Sequence, residues 1–225
     1  MTQKIITIDG PSGSGKGTIA ALLAKKLGWQ VLDSGALYRL VGLAVRNKGV
    51  DFGDELALAD IAENLDVVFD DGNIFLEKQN VTDTIRSETA GNDASKVAAV
   101  PAVRAALLKW QQQCAGVHGL VADGRDMGTV VFPDAPLKFF LTASAEERAN
   151  RRYKQLKEKG MSANLAHLIE EIRERDERDM SRSAAPLKPA DDAIDIESSN
   201  LTIDEVMEKI LRDVAEVFKQ ESNSW

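Results

Sequence analysis

Cysteine, histidine and aromatic residues are all scarce in this chain of 225 residues. It has one cysteine and two histidines, and aromatic side chains make up 5% of it. A single cysteine excludes an intramolecular disulfide. His118 and His167 lie in no metal-ligand or triad pattern, so a structural zinc site and acyl-transfer chemistry find no support. We interpret Cys114 as a small core residue and both histidines as surface residues.

Long apolar runs are missing as well. Charged residues interrupt every stretch long enough to span a bilayer, and the first residues lack the apolar core of a signal peptide. We therefore expect a cytoplasmic protein without a membrane partner. A net charge of −8 argues against a nucleic acid partner, because binding a polyanion needs many uncompensated cations. No strong apolar stripe is left over, so we expect a monomer.

A glycine-rich loop is the most informative segment that is present. It lies between a predicted strand, Lys4 to Ile8, and a predicted helix, Thr18 to Leu27, and it reads Gly10, Pro11, Ser12, Gly13, Ser14, Gly15, Lys16, Gly17, Thr18. Such a loop turns tightly and directs N–H groups at phosphate oxygens, with the helix N-terminus behind them and Lys16 reaching the β- and γ-phosphates. A plain turn would need these residues to fall in register by chance. The loop predicts a nucleoside triphosphate site.

The loop departs from the strict pattern at one position. The residue after Lys16 is Gly17, and the first hydroxyl comes one place later at Thr18. This ending resembles that of the nucleoside monophosphate kinases, which implies that Mg²⁺ is held largely by water and phosphate oxygens. Whether a side chain ligates the ion directly stays open. The motif favours small-molecule kinases over GTPase switches.

The rest of the chain alternates strands and helices. Predicted helices begin at the capping boxes Ser144 to Glu147 and Thr202 to Glu205, and another runs from Pro101 to Cys114. Further strands are predicted at Leu120 to Asp123, Leu137 to Leu141 and Ala193 to Ile196. This order predicts an α/β fold, a parallel sheet with helices on both faces that binds ligands beyond the carboxyl ends of its strands.

Two segments do not fit the alternation. Residues 65–77 read as a β-hairpin, which we interpret as part of an inserted subdomain. Residues 149–185 are rich in arginine, are divided by Gly160, and read as a helical lid. At helical spacing Arg175, Arg178 and Arg182 share a side with Asp179, whereas a solvated face would scatter its charges. The role of Arg178 stays open between phosphate contact and pairing with a carboxylate.

Three further residues or segments are candidates for the site. Ser34 precedes a predicted helix, where a plain helix cap is the alternative. Residues 124–128 follow a buried strand and contain Arg125 and Asp126, a group that packing does not readily explain. Arg104 borders the apolar side of its helix, where a snorkelling surface arginine is the alternative.

Five segments together carry a resemblance to a known family. They read GPSGSGKGT at 10–18, LDSGALYR at 32–39, VPAVRAALL at 100–108, VADGRDMGTVVFPDA at 121–135 and IRERDERDMSRSAAPL at 172–187. In this combination the chain resembles the bacterial cytidylate kinases over essentially its whole length. The resemblance implies a P-loop core at 1–33, 99–148 and 186–225. It also implies a monophosphate-binding domain with a β-containing insert at 34–98 and a lid at 149–185.

The resemblance also implies a role for individual residues. ATP would donate a phosphoryl group, with Mg²⁺, to CMP and to dCMP in pyrimidine metabolism. Lys16, Arg125 and Arg182 would act in catalysis. The implied substrate contacts are Ser34, Arg104 and Asp126 to the cytosine, Arg39 and Arg125 to the CMP phosphate, Ser95, Arg175 and Asp179 to the ribose, and Arg182 to the transferring phosphate.

The chemistry of such a reaction agrees with the residues present. The attacking phosphate is mostly ionised at pH 7, so no general base is required, and the need is to position two polyanions and stabilise the transferred group. The alternatives are a kinase for UMP, AMP or shikimate, or a nucleotide-binding switch. A guanine-binding switch normally needs Asn-Lys-x-Asp, and residues 47–50 place Val50 at the fourth position.

Overall fold

A computed structural model describes residues 3–70, 73–116, 118–158 and 160–218 of the chain. Contacts divide the chain into two compact units. The larger unit comprises Met1–Leu32, Cys114–Ser181 and Ala185–Trp225, and the smaller unit comprises Asp33–Gln113 and Arg182–Ala184.

Over the described residues the chain forms eight strands and eight α-helices. In chain order they are β1 (Ile5–Asp9), α1 (Lys16–Leu27), β2 (Gln30–Asp33), α2 (Ser34–Asn47), α3 (Glu55–Glu63), β3 (Val67–Asp70), β4 (Asn73–Leu76), β5 (Gln79–Asn80), α4 (Glu88–Val97), α5 (Pro101–Gln113), β6 (Leu120–Gly124), β7 (Leu137–Thr142), α6 (Ala145–Glu158), α7 (Leu165–Ser181), β8 (Ile194–Glu197) and α8 (Ile203–Phe218). A short 3₁₀ turn spans Thr84–Arg86 and a π-helical turn spans Met127–Val131. No described helix is long and apolar enough to cross a membrane.

The larger unit is built on a sheet with the strand order β2-β6-β1-β7-β8. β1 pairs in parallel with β6 and β7, and β7 pairs in parallel with β8. All five residues of both β1 and β6 are buried, which is usual for strands covered by helices on both faces. The predicted α/β class and parallel sheet are confirmed.

The hydrophobic core of this unit lies between the sheet and two helices. Ile8 and Phe139 of the sheet are almost fully buried together with Leu23 of α1 and Ile210 of α8. The carboxyl ends of β1 and β6 come to the same edge, because Asp9 stands beside Gly124 in the register. The glycine loop and residues 124–128 therefore leave the sheet from neighbouring positions.

The sequence missed one strand of this sheet. The four predicted strands are present to within one residue at each end, but β2 was not among them. The strand is four residues long and contains only two apolar residues, Val31 and Leu32, which is too short a run to show a strand pattern. Its place comes from pairing beside β6, which is a tertiary effect.

The smaller unit contains the predicted hairpin. β3 and β4 pair antiparallel from Val67 opposite Leu76 to Asp70 opposite Asn73, and the predicted turn residues 71 and 72 lie outside the described residues. A third strand, β5, pairs antiparallel with β4 and was not predicted. The turn between β4 and β5 has a positive φ at both Glu77 and Lys78, two residues that give no turn signal in the sequence.

The arginine-rich segment folds as two helices, α6 and α7, as predicted. Gly160 between them has a φ of 72°. Both predicted capping boxes lie at helix starts: the Ser144 hydroxyl accepts the Glu147 N–H, and Thr202 and Glu205 bond each other reciprocally. One expectation is wrong, because α7 ends at Ser181 and Arg182 lies beyond it. The shared helical side of Arg175 and Arg178 therefore does not extend to Arg182.

The exposure of the single cysteine and the two histidines agrees only in part with the sequence analysis. His118 and His167 are both exposed, as predicted. Cys114 is only partly buried, next to the C-terminus of α5, rather than in the core, and this burial raises the pKa of its thiol. Among the described residues no group of three or more His, Cys, Asp or Glu side chains could hold a metal ion.

Candidate functional site

The glycine loop of the larger unit alternates its backbone conformation. Gly13 has a φ of 77° and Gly15 a φ of 96°, values in the left-handed region that favours glycine. A Cβ at Gly13 would also lie 3.2 Å from the Cβ of Arg148 on α6. Alternation of this kind turns successive N–H groups to one side, which forms a concave site for an anion. The N-terminus of α1 adds its partial positive charge at the same place.

Lys16 is the cation of this loop. Its side chain is 9% exposed, its Nζ donates to the Pro11 carbonyl at 3.1 Å, and it lies 3.9 Å from Oδ1 of Asp123 at the end of β6. The same carboxylate explains the glycine that follows, since a Cβ at Gly17 would lie 3.0 Å from Asp123 Oδ2. In the strict glycine-loop pattern, a residue with a hydroxyl side chain follows the lysine. Here Gly17 follows it, and the Asp123 carboxylate lies next to the place where such a side chain would begin.

Asp9 joins the glycine loop to the segment after β6. It is 4% exposed, and its two carboxylate oxygens accept the backbone N–H groups of Met127 and Gly128, each at 2.8 Å. Burial raises the pKa of this carboxyl to about 7, aided by the charges of Asp126 and Asp123 and opposed by the two N–H donors. One buried side chain therefore fixes where residues 125–128 lie relative to the loop.

Arg125 and Asp126 stand on the segment that Asp9 fixes. Asp126 is 2% exposed. Nε of Arg125 donates to Oδ2 of Asp179 on α7 at 3.1 Å, so an arginine from the sheet edge meets a buried carboxylate of the arginine-rich segment. The structure thus brings together three of the predicted site residues.

Two arginines of α6 bind the carbonyl groups of the glycine loop. Arg148, which is 4% exposed, donates to the Ser12 carbonyl at 3.0 Å, and Arg151 donates to the Ser14 carbonyl at 3.1 Å. Arg148 also holds both carboxylate oxygens of Asp176 on α7 and donates to the carbonyl of Ala143. One guanidinium, carried by α6, therefore bonds to both the glycine loop and α7.

The remaining arginines of α7 differ in exposure. Arg173 is exposed and pairs with Glu146 of α6. Arg175 and Arg178 are half-buried. Nη1 of Arg178 is buried without a hydrogen-bond partner among the described residues, so the structure assigns it no carboxylate.

In the smaller unit, Ser34 is not the helix cap that the sequence offered as an alternative. The side chain of Asp33 caps α2 by accepting the Ala36 N–H at 2.9 Å, and Ser34 is the first helical residue. Ser34 is 2% exposed. A carboxylate and a hydroxyl are both good caps, so two adjacent candidates cannot be ranked without the backbone geometry.

Arg104 is buried, so the snorkelling alternative is wrong. It is 9% exposed, its Nη1 donates to the Ala98 carbonyl at 3.3 Å, and its guanidinium carbon lies 5.4 Å from the centre of the Tyr38 ring. Arg39 donates to the carbonyl of Ile85 at 2.7 Å. Buried polar groups of this kind need partners, and backbone carbonyl groups supply them for both arginines.

Ser95 and Arg182 complete the predicted residues of the smaller unit. Ser95 lies on α4 and is 4% exposed, and Arg182 is 9% exposed. Both are therefore buried polar residues, as a substrate-facing role would require, but burial by itself assigns no role.

Sequence reasoning missed three residues that shape this site. They are Asp9, Arg148 and Arg151. Asp9 carried a usable signal, because a carboxylate between a buried strand and a phosphate loop is costly unless it is bonded. Arg148 and Arg151 gave a weaker one, a pair spaced i, i+3 in the first turns of a capped helix.

Comparisons with known proteins agree over almost the whole chain. A family model described as cytidylate kinase matches residues 6–216. A protein of Stutzerimonas stutzeri (strain A1501) named cytidylate kinase is 64% identical over 218 residues, which cover 94% of this chain and 95% of that protein. One of the same name from Azotobacter vinelandii is 60% identical over 217 residues, with the same coverage. An uncharacterised protein of Eubacterium ventriosum, solved by crystallography, shares the fold with a TM-score of 0.53, at 12% identity over 96% of this chain and 99% of that one.

Proposed function

This chain belongs to the cytidylate kinase family, and on that basis we propose that it transfers the terminal phosphoryl group of ATP to CMP and to dCMP. The observation that carries the proposal is the Asp9 bridge. It joins a loop shaped for a triphosphate to a segment that presents Arg125 and buried Asp126. These bonds support a donor site and an acceptor-binding segment that lie together at one edge of the sheet.

Phosphoryl transfer needs little from the protein beyond positioning and charge. The loop N–H groups and Lys16 hold the donor phosphates, and the arginines stabilise the charge that spreads over the transferred group. Arginine suits this task because its planar fork binds phosphate oxygens in pairs. We assign catalytic roles to Lys16, Arg125 and Arg182.

The substrate contacts that we propose follow the family resemblance. Cytosine has a distinctive edge of donors and acceptors, and a site built to bond it penalises other bases by leaving buried groups unpaired. The proposed contacts are Ser34, Arg104 and Asp126 to the base, Arg39 and Arg125 to the acceptor phosphate, and Ser95, Arg175 and Asp179 to the ribose. We propose that 34–98 binds the monophosphate and that 149–185 acts as a lid over a P-loop core formed by 1–33, 99–148 and 186–225.

Mg²⁺ fits the residues at the loop as an ion shared with the nucleotide. The Asp123 carboxylate lies beside Lys16 and Gly17, and carboxylate oxygens are ligands that Mg²⁺ prefers. The described side chains build no complete cage, so ATP phosphates and water would supply most of the ligands. Asp123 would hold the ion directly or through water. A bound Mg²⁺ neutralises charge on the phosphate oxygens.

We further propose that the protein is a cytoplasmic monomer acting in pyrimidine metabolism, since its proposed substrates are free nucleotides. ADP release, measured by a coupled assay with CMP, dCMP, UMP, AMP, GMP and shikimate as acceptors, tests the function. We expect the highest kcat/KM with CMP. Equal kcat/KM for AMP and CMP would refute the cytidylate assignment.

A further inference from the structure

The carbonyl groups of the glycine loop are held by arginines, and this has a consequence for the N–H groups. The carbonyl oxygens of Ser12 and Ser14 accept hydrogen bonds from Arg148 and Arg151 of α6, respectively. The Ser14 carbonyl also accepts one from the hydroxyl of Ser198 at 3.4 Å. In an alternating loop each peptide plane that points its carbonyl one way points its N–H the other way. Binding the carbonyls therefore fixes the orientation of the donors that would meet phosphate.

Arg148 differs from Arg151 because it also reaches α7. Its guanidinium donates hydrogen bonds to three groups: the Ala143 carbonyl, the Ser12 carbonyl and the two carboxylate oxygens of Asp176. The group is 4% exposed, so these bonds face little competition from water. The Ser12 peptide and Asp176 of α7 are therefore bonded to the same rigid planar group.

On this geometry we propose that Arg148 is a positioning residue for phosphoryl transfer. It holds the glycine loop with its N–H groups facing the triphosphate, and it joins the state of that loop to α7 through Asp176. Asp179 lies one helical turn beyond Asp176 and binds Arg125, so the same helix carries the connection to the segment after β6. In its kinetic part this inference rests on the proposed function.

The structure also offers a matched control for ordinary helix packing. Glu146 of α6 and Arg173 of α7 join the same two helices by an exposed ion pair, and neither side chain has a bond to the glycine loop. If the Arg148–Asp176 pair only held α6 to α7, breaking either pair would have a similar effect. The positioning role predicts that only the pair on the loop affects nucleotide binding and turnover.

Three variants of the full-length chain test the proposal: Arg148→Lys, Asp176→Asn and the control Arg173→Gln, which breaks the exposed pair and keeps the Glu146 charge near Arg148. Arg148→Lys keeps the charge but cannot hold the Ser12 carbonyl and both Asp176 oxygens at once. The measurements are calorimetric titration with a non-hydrolysable ATP analogue, kcat and KM for CMP, and hydrogen exchange of α7 without ligand and with the analogue and CMP both bound.

For Arg148→Lys we expect analogue affinity to fall roughly tenfold and kcat to fall roughly a hundredfold, with KM for CMP within about twofold of wild type. Asp176→Asn leaves the Ser12 bond in place, so it should retain analogue affinity within about threefold while losing kcat and the protection of α7 that the analogue and CMP together induce. If Arg148→Lys fails to fold, Asp176→Asn still tests the proposal. Arg173→Gln should match wild type in every measurement.

Wild-type affinity and kcat in folded Arg148→Lys would overturn the proposal. So would a loss of kcat in Arg173→Gln as large as in Asp176→Asn, since helix packing alone would then explain both. Failure of the proposed function is distinguishable. A wild-type chain that does not phosphorylate CMP, together with weaker analogue binding by Arg148→Lys, would refute the function and leave the positioning of the loop supported.

Discussion

Asp9 makes the stability of this fold depend on pH near neutrality. Its pKa stands at about 7 instead of 3.8, chiefly because burial disfavours the charged carboxylate. Between these two values the folded chain keeps a proton that the unfolded chain has lost, so stability falls as pH rises from about 4 to about 7. At 1.36 kcal/mol per pKa unit, the change amounts to roughly 4 kcal/mol of unfolding free energy.

Asp9→Asn removes this dependence while keeping nearly the same shape. Its amide oxygen can accept only one of the two backbone N–H groups, and loss of the other bond lowers stability equally at every pH, so the change with pH still isolates the carboxyl. Urea unfolding of both proteins at pH steps from 4 to 8, in EDTA, measures it. We expect the unfolding free energy of the wild type to fall relative to the variant by roughly 4 kcal/mol across this range, chiefly between pH 4 and 7. Curves that run parallel would refute the reasoning.

A second carboxylate gives the opposite sign and serves as a control. The hydrogen bond from Lys138 holds the pKa of Asp192 below its ordinary value of 3.8. Its contribution to stability is therefore present above that value and is lost as pH falls below it. Asp192→Asn should leave the pH dependence between 4 and 8 unchanged. A loss of the Asp9 effect in this variant would show that the dependence has another origin.

Three further predictions concern turnover. Lys16→Ala should lower kcat/KM at least about a hundredfold with an unchanged circular dichroism spectrum, because its charge is needed on the phosphates; near-wild-type turnover would remove the loop from the mechanism. Asp126→Ala should reduce the CMP-over-UMP preference in kcat/KM roughly tenfold or more and change ATP affinity less; an unchanged preference would contradict its assignment to the base. Arg182→Ala should lower kcat roughly a hundredfold with little change in ATP affinity, and residues 149–185 should gain hydrogen-exchange protection only when an ATP analogue and CMP are both bound. Equal protection in all four ligand states would refute the lid.

Much of the fold could be predicted because its signals are local. The strand before the glycine loop, the two capping boxes and the hairpin each depend on residues a few positions apart, and the structure confirms all of them. β2 could not be recognised, because it is short and has only two apolar residues. What makes it a strand is its neighbour β6 in the sheet.

The site was predictable only where one short motif contains it. The loop with Lys16 could be identified from its sequence, whereas the contacts of the groups that hold it in place could not. Arg148 bonds a carbonyl 136 positions away, and Asp9 bonds an N–H group 118 positions away. The periodicity of apolar residues in the sequence gives no information about contacts between residues so far apart in the chain. The same holds for Arg104, whose burial depends on Tyr38 of another helix.

One measurement tests the central claim most directly. The protein is given ATP, Mg²⁺ and equal concentrations of CMP, UMP and AMP in one vessel, and the nucleoside diphosphates are separated and quantified over time, with Lys16→Ala as the blank. Competing acceptors are consumed in proportion to their kcat/KM, so the first diphosphate formed beyond ADP reports the specificity directly. We predict that CDP forms first and in excess over UDP. Conversion of AMP to ADP as fast as CMP is consumed, or loss of ATP without any CDP, would contradict the account.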